Sequence, residues 1–423
     1  MSEWKEYKLG DLCKRVTSGG TPNTRKSEYY GGNIAWLKTQ EVNFNRIYFT
    51  ETSITDEGLK NSSAKWIPED SVIVAMYGAT AGRVAINKIP LTTNQACCNL
   101  VVDNEKADYR FIYYNLLSRF ASIANMAVGG AQQNLNAGMI KDLSIHLPDL
   151  STQTAIAEIL SSLDDKIELN NQINKNLEAL AQALFKQWFV DFEFPNENGQ
   201  PYKSSGGEMV ESELGMIPKG WRVDTIKSIG RVITGKTPSN INPEYFGDSI
   251  PFITPSDYKN YFKVIVNAER YLSELGLNQF KKILLPVNSL LVTCIGSDMG
   301  KVAVNKVECI SNQQINSIVF DTDSHVSCEY MYYFLTNIYD LLRNLATGGS
   351  TMPIVNKTEF EGIKITIPDV RRVTEFTHFI KSIDANIESN TVEKFNLHNL
   401  RDELLPKLIS GKLEISQAQS QKL

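Results

Sequence analysis

Met76-Tyr77-Gly78-Ala79-Thr80-Ala81-Gly82-Arg83-Val84 returns as Cys294-Ile295-Gly296-Ser297-Asp298-Met299-Gly300-Lys301-Val302, 218 positions later. The correspondence continues outward on both sides. Asn87 and Asn94-Gln95 return as Asn305 and Asn312-Gln313, and Ile67-Pro68 returns as Leu285-Pro286, all at offset 218. Further out, Thr21-Pro22 and Glu28-Tyr29-Tyr30-Gly31 return as Thr237-Pro238 and Glu244-Tyr245-Phe246-Gly247 at offset 216. Gly129-Gly130 becomes Gly348-Gly349 at 219, and Leu147-Pro148-Asp149 becomes Ile367-Pro368-Asp369 at 220. The order is kept while the offset drifts by only four residues, so the chain is an internal duplication. Its period is far longer than the roughly 20–50 residues of a solenoid. Each half is long enough for a domain plus an extra element. Two similar halves imitate a homodimer with an approximate two-fold axis. Most residues between the landmarks differ, so the halves share a scaffold but not a surface.

Each half divides again. Residues 1–150 and 221–370 mix short β-like runs with one clear helix. Ser71–Met76 and Ser289–Thr293 have the continuous apolar character of buried strands. Tyr109, Ile112, Tyr113 and Leu116 share a helical face, as do Tyr330, Tyr333, Phe334 and Ile338. The second part is a long helix, at 151–194 and again at 371–415, followed by a short tail at 416–423. Ile156, Leu160, Leu163, Ile167, Ile173, Leu177, Leu180, Leu184 and Trp188 recur at mostly heptad spacing. Phe376, Ile380, Ile383, Ile387, Leu397, Leu400, Leu404 and Leu408 repeat the pattern. Asn170 and Asn390 interrupt the two seams and read as register-setting positions of a coiled coil. Residues 195–220, with Asn-Gly, Ser-Ser-Gly-Gly and Pro-Lys-Gly, have the composition of a linker. The fold class expected is α+β: two similar globular domains, each followed by a long helix of coiled-coil spacing, with pseudo-twofold symmetry.

The 423 residues carry 43 Lys+Arg against 48 Asp+Glu, a net charge of −5. The excess is local. Residues 151–220 hold 5 basic and 11 acidic side chains, whereas 1–150 and 221–370 are close to neutral. A neutral domain does not hold nucleic acid by bulk charge, though basic groups gathered on one face still serve. Six cysteines without a C-x-x-C pair argue against a structural zinc site and suit a reducing cytoplasm. No apolar run is long enough to span a membrane, and the first residues lack a signal-peptide pattern.

Catalytic motifs are absent. Gly296–Val302 is one residue short of a phosphate loop and has Val where a hydroxyl belongs. There is no H-E-x-x-H, no G-x-S-x-G and no Asn/Asp-Pro-Pro-aromatic segment of adenine methylation. His146, His325, His378 and His398 are scattered. Asp164-Asp165 reads as a solvated helix face, because adjacent helical residues point apart. No catalytic residue, metal ligand or cofactor site is expected on this chain.

What recurs instead is four loops, counted in chain order, the third being Met76–Val84 with its counterpart Cys294–Val302. Thr17-Ser18-Gly19-Gly20-Thr21-Pro22 pairs with Thr234-Gly235-Lys236-Thr237-Pro238. Leu37-Lys38-Thr39-Gln40-Glu41 pairs with Ile253-Thr254-Pro255-Ser256-Asp257, and Thr93-Asn94-Gln95-Ala96 with Ser311-Asn312-Gln313-Gln314. A Gly-Gly turn with polar neighbours, Gly129–Gln133 and Gly348–Thr351, closes each domain. Asn and Gln pair bidentately with adenine, and Arg or Lys with guanine. The DNA-binding candidates are Thr17, Ser18, Thr21, Lys38, Thr39, Gln40, Tyr77, Thr80, Arg83, Asn94, Gln95, Gln132 and Gln133 in the first half. In the second they are Thr234, Lys236, Thr237, Thr254, Ser256, Ser297, Lys301, Asn312, Gln313 and Ser350. Turn geometry alone also accounts for the glycines, and a scaffold role for the Asn-Gln pairs.

This doubled ensemble, with heptad helices in place, resembles the specificity subunit of type I restriction-modification systems over nearly the whole chain. The resemblance implies a non-catalytic subunit whose two long helices form an antiparallel coiled coil and whose two target-recognition domains each read one half of a bipartite site in double-stranded DNA. It further implies two docked modification subunits that methylate adenine N6 with S-adenosylmethionine, and motor-nuclease subunits that join them. S-adenosylmethionine, ATP and Mg then belong to those partners, and the complex to the cytoplasm. A stand-alone duplicated regulator or architectural DNA binder is the alternative, opposed by the lack of a helix-turn-helix or basic helix. A nuclease or methyltransferase in its own right is opposed by the missing motifs.

Overall fold

The computed structural model describes residues 4–128, 134–239, 241–260, 263–296, 298–322, 324–339, 342, 354–413 and 415. The chain forms two units, Met1–Lys166 with Leu397–Leu423, and Ile167–Asn396. Each unit therefore holds one globular domain and parts of both long helices.

Each domain is built on a five-stranded sheet. In the first unit the order is Cys13–Ser18, Cys97–Val102, Val72–Ala75, Val84–Asn87, Asn45–Ile47; all neighbours are antiparallel except the last pair, which is parallel. The second unit repeats the order and sense with Gly230–Thr234, Ile315–Phe320, Leu290–Thr293, Val302–Asn305 and Val264–Ile265. The apolar central runs follow from burial on both faces. Val72 and Val74 face a core with Phe111, Ile112 and Tyr114, while Ile73 and Ala75 face one with Leu37, Ile67 and Leu91. Leu290 and Val292 against Leu291 divide in the same way.

The duplicated landmarks are mostly scaffold. Asn87 is fully buried; its amide donates to Pro68 O (2.6 Å) and Ile89 O (2.9 Å), and its Oδ1 accepts from Ser71 N (3.0 Å). Asn305 does the same with Pro286, Val307 and Ser289. The strand Lys5–Lys8 pairs with Ser144–Leu147, and Arg222–Thr225 with Lys364–Ile367, so each domain's first strand is stitched to the strand that leads into its long helix.

Those helices are Leu150–Phe185, continued by a π turn at Lys186–Val190, and Val370–Ile409. Asp149 caps the first: its carboxylate accepts from Ser151 Oγ (2.5 Å) and Thr152 N (2.9 Å), bonds that hold its pKa down to about 2. Within the second unit the helices pair antiparallel. Asn170 Nδ2 donates to Glu393 Oε2 (2.7 Å), and Asn390 Nδ2 donates to Asn174 Oδ1 (2.9 Å). Both asparagines thus bond across the helix pair, Asn170 to Glu393 and Asn390 to Asn174.

Three expectations change. The seam does not pass through Ile173 and Leu180, which are 36% and 59% exposed; Asn174, Ala181 and Phe185 are buried instead. The polar layer at Asn170 and Asn174 moves the buried face on by one residue, which hydrophobic periodicity alone does not register. Asp164 is not solvated. It accepts from Tyr114 Oη (2.6 Å) and Arg401 Nη1 (2.9 Å) and is only 13% exposed, whereas its neighbour Asp165 is 64% exposed. Residues 195–220 are not a loose tether. They carry the hairpin Met209–Ser212 with Gly215–Pro218, Ile217 is buried, and the preceding Phe194 stacks on Tyr202 and Trp221 at 4.6 and 5.4 Å. The aromatics that flank and punctuate this segment override its Gly/Ser composition.

Candidate nucleic-acid interface

In each domain the recurring loops converge on the fourth one. In the first unit Gly20 N donates to Thr93 O (2.9 Å), Asn94 N to Leu37 O (2.9 Å), and Met76 N to Ala96 O (2.8 Å). The segment 93–96 thereby gathers the other three loops. In the second unit Lys236 N donates to Ser311 O (2.9 Å), Asn312 N to Ile253 O (2.9 Å), and Cys294 N to Gln314 O (2.7 Å). The sequence separations are large, and the duplication brings the same four loops together twice.

Glycine permits this closeness. A Cβ on Gly19 would stand 2.1 Å from Thr93 O, and one on Gly235 would stand 2.2 Å from Asn312 O. Gly78 and Gly82, with Gly296 and Gly300, all have positive φ, so the third loop turns back where an L side chain is strained.

Within this frame the candidate side chains separate into two groups. Gln95 and Gln313 are exposed, and their Oε1 atoms accept from the hydroxyls of Thr21 and Thr237. Gln40, Tyr77, Lys236 and Ser256 are exposed as well. Ser18, Lys38, Thr39 and Thr80 are half-buried; Lys38 Nζ lies over the Trp36 ring at 5.6 Å, and Thr80 Oγ1 bonds Tyr77 O (3.3 Å). The others face inward or are restrained. Asn94 Oδ1 accepts from Ala96 N (3.2 Å), and the buried Asn312 bonds Gln314 through both ends of its amide. The Thr17 hydroxyl is buried, and Thr234 Oγ1 donates to Asn316 Oδ1 (2.7 Å). Arg83 Nη1 donates to Asn43 Oδ1 (2.7 Å), with its guanidinium 6.0 Å from the Phe44 ring centroid. Lys301 pairs with Asp298 (2.6 Å), and Thr254 bonds Asp257 and Ser256. Gln132, Gln133, Ser297 and Ser350 lie outside the described residues. The residues after the Gly-Gly segments join the third loop, Leu135 N to Met76 O (3.1 Å) and Val355 N to Cys294 O (2.9 Å).

Glu41 and Asp257 have a part that sequence reasoning missed. Their carboxylates fold back, each accepting two backbone N–H groups. Glu41 takes Lys38 N and Glu51 N, both at 2.9 Å; Asp257 takes Thr254 N and Glu269 N, both at 2.8 Å. The signal was an acid at the same place in both copies of the second loop. The arrangement holds polar, exposed side chains on loops tied to one another by backbone hydrogen bonds, which suits recognition. Among the described residues no cluster of His, Cys, Asp or Glu could hold a metal ion, and no helix is long and apolar enough to cross a membrane.

Comparison with known proteins agrees with this duplication. The family model described as "Type I restriction modification DNA specificity domain" matches twice, at residues 1–179 and 218–397. The chain is 29% identical to the type I restriction enzyme HindI specificity subunit of Haemophilus influenzae, over 98% of this chain and 100% of that protein. It is 28% identical to the MjaIX specificity subunit of Methanocaldococcus jannaschii, over 98% and 94%. The crystal structure of a type I restriction-modification S subunit from M. genitalium shares the fold, with TM-score 0.59, 15% identity and 96% of both chains covered. With two loop-bearing domains, two long helices and two copies of the family domain, the chain belongs to the specificity subunits of type I restriction-modification systems.

Proposed function

We propose that each loop cluster reads one half of an asymmetric bipartite site in double-stranded DNA, for adenine methylation by partner modification subunits. The observation that carries the reading is the twofold gathering of four loops on a common hub, with unlike exposed side chains in the two copies. Gln40 is exposed where the second copy exposes Ser256. Two different readers on one scaffold yield two different half-sites. The long helices set the unspecified spacer and offer the modification subunits their docking surface. A helix of 36 residues is about 54 Å long, enough for half-sites spaced by roughly one or more duplex turns of 34–36 Å.

This chain performs no chemistry of its own. S-adenosylmethionine, ATP and Mg, and the flipping of the target base, belong to the partner subunits. The near-neutral domains imply that the isolated chain binds DNA weakly and that partners supply much of the phosphate contact. Removing one heptad from each long helix tests the spacer role. The methylated motif should keep both halves and lose bases from its spacer; an unchanged spacer would refute that role. A stand-alone regulator would instead bind its site without an adenine methyltransferase.

A further inference from the structure

We propose that the Tyr48–Glu51 turn of the first domain is a fifth recognition element, and that Phe49 makes an aromatic contact with a base of the first half-site. The inference rests on the proposed reading of DNA by the loop clusters and adds a contact that the four recurring loops do not contain.

Phe49 is 75% exposed and Tyr48 is 52% exposed, on the turn that leads into Glu51. Exposure of one apolar side chain is ordinary on a protein surface; what singles out Phe49 is the turn that holds it. Rigidity comes from two sides. The Glu41 carboxylate in the second loop takes Lys38 N with one oxygen and Glu51 N with the other, both at 2.9 Å. Behind the turn, Trp36 N donates to Thr50 Oγ1 (3.2 Å) and Thr52 O (3.1 Å), while Thr50 Oγ1 donates to Thr52 O (2.7 Å). The turn is therefore tied to the second loop, which carries the exposed Gln40 and which Asn94 N joins to the hub through Leu37 O.

The second domain keeps the clasp but not the aromatic tip. Asp257 takes Thr254 N and Glu269 N, both at 2.8 Å, and the equivalent turn carries Val266-Asn267. Conserving the device while changing what it presents is the pattern already seen in the reading loops. A fixed phenyl ring stacks on an exposed base or lies against a thymine methyl, and loses little conformational freedom in doing so. Continuity with the second loop favours DNA over a protein partner as the occupant.

The test uses the chain assembled with its modification subunits, comparing wild type, Phe49→Ala and Phe49→Tyr on four duplexes. These carry the cognate site, a scrambled first half, a scrambled second half, or both halves scrambled. Phe49→Ala should lose about tenfold to a hundredfold in affinity on the cognate duplex, and Phe49→Tyr should retain most of it. The penalty should vanish when the first half is scrambled and persist when only the second is. Equal affinity of Phe49→Ala and wild type on the cognate duplex would overturn the inference, as would impaired assembly with the modification subunits in the absence of DNA. A wild-type complex with no preference for either half would instead overturn the functional reading on which the inference rests.

Discussion

Gly19→Ala asks for one carbon atom where the first domain has no room. The added Cβ would lie 2.1 Å from Thr93 O and 2.4 Å from Asn94 O, whereas ordinary contact begins near 3.4 Å. The first and fourth loops must part by about 1 Å, which takes a good hydrogen bond out of range. The bonds at risk are Gly20 N to Thr93 O (2.9 Å) and Trp36 Nε1 to Gly20 O (2.9 Å), with Gly19 N to Cys97 O at 3.4 Å already long. Gly19, Gly20 and Trp36 are buried, so each broken bond leaves a group without water. At about 1–3 kcal/mol per orphaned group, the substitution costs roughly 3–5 kcal/mol. For a unit of this size that is a fall of about 10 °C in the first unit's Tm. The functional effect should be one-sided: recognition of the first half-site weakens while the second half is still read. Gly235→Ala, whose Cβ would meet Ser311 O and Asn312 O at 2.2 Å, should do the converse. Differential scanning calorimetry and methylome sequencing of cells expressing each variant check both parts. Wild-type stability with an unchanged motif in Gly19→Ala would show that the first loop does not seat on the fourth.

Two further outcomes follow from buried groups. Lys263, 2% exposed, pairs with Asp384 at 2.6 Å and lies 4.5 and 4.3 Å from the ring centroids of Tyr332 and Tyr333. Lys263→Met should destabilise the second unit by about 3–5 kcal/mol, and adding Asp384→Leu should restore much of that in a chemical denaturation series. Burial already holds the Asp384 and Glu178 carboxyls above their ordinary range, against the opposing pull of Lys263. A raised folded-state pKa favours the folded state at low pH, and that stability is lost as pH rises through it. The single variant should therefore melt higher at pH 5 than at pH 7, and a flat or opposite trend would contradict this. Burial also pushes the thiols of Cys98, Cys294 and Cys309 up to about 12, and Cys97 upward too. A thiol-disulfide reagent at pH 8 should leave these four untouched in the native chain and modify them after denaturation. Rapid reaction of all four in the native chain would contradict the packing of the two sheets.

The duplication, the fold class and the identity of the loops were legible because each repeats at a near-constant offset. Strands such as Val72–Ala75 were legible because both their faces are buried, leaving an uninterrupted apolar run. The course of the helix seam was not legible. At Asn170 and Asn174 hydrogen bonding replaces apolar contact, and a hydrophobic repeat cannot follow a polar layer. Asp164 was misread because its partners, Tyr114 and Arg401, are 50 and 237 residues away. Within the loops, sequence distinguished polar from apolar but not outward from inward. Asn94 and Gln95 are neighbours of similar chemistry, yet one amide turns into the loop and the other to the surface. Glu41 looked like part of a contact loop, while its carboxylate is the clasp that fixes a turn not singled out at all.

The central claim is that each domain reads its own half of one DNA site. The most direct measurement is methylome sequencing of cells that carry this chain with its modification subunits, compared with cells in which residues 1–150 come from another specificity subunit. The account predicts a bipartite adenine-methylated motif in which the replacement changes one half and leaves the spacer and the other half intact. A change in both halves, or a single uninterrupted motif, would contradict it.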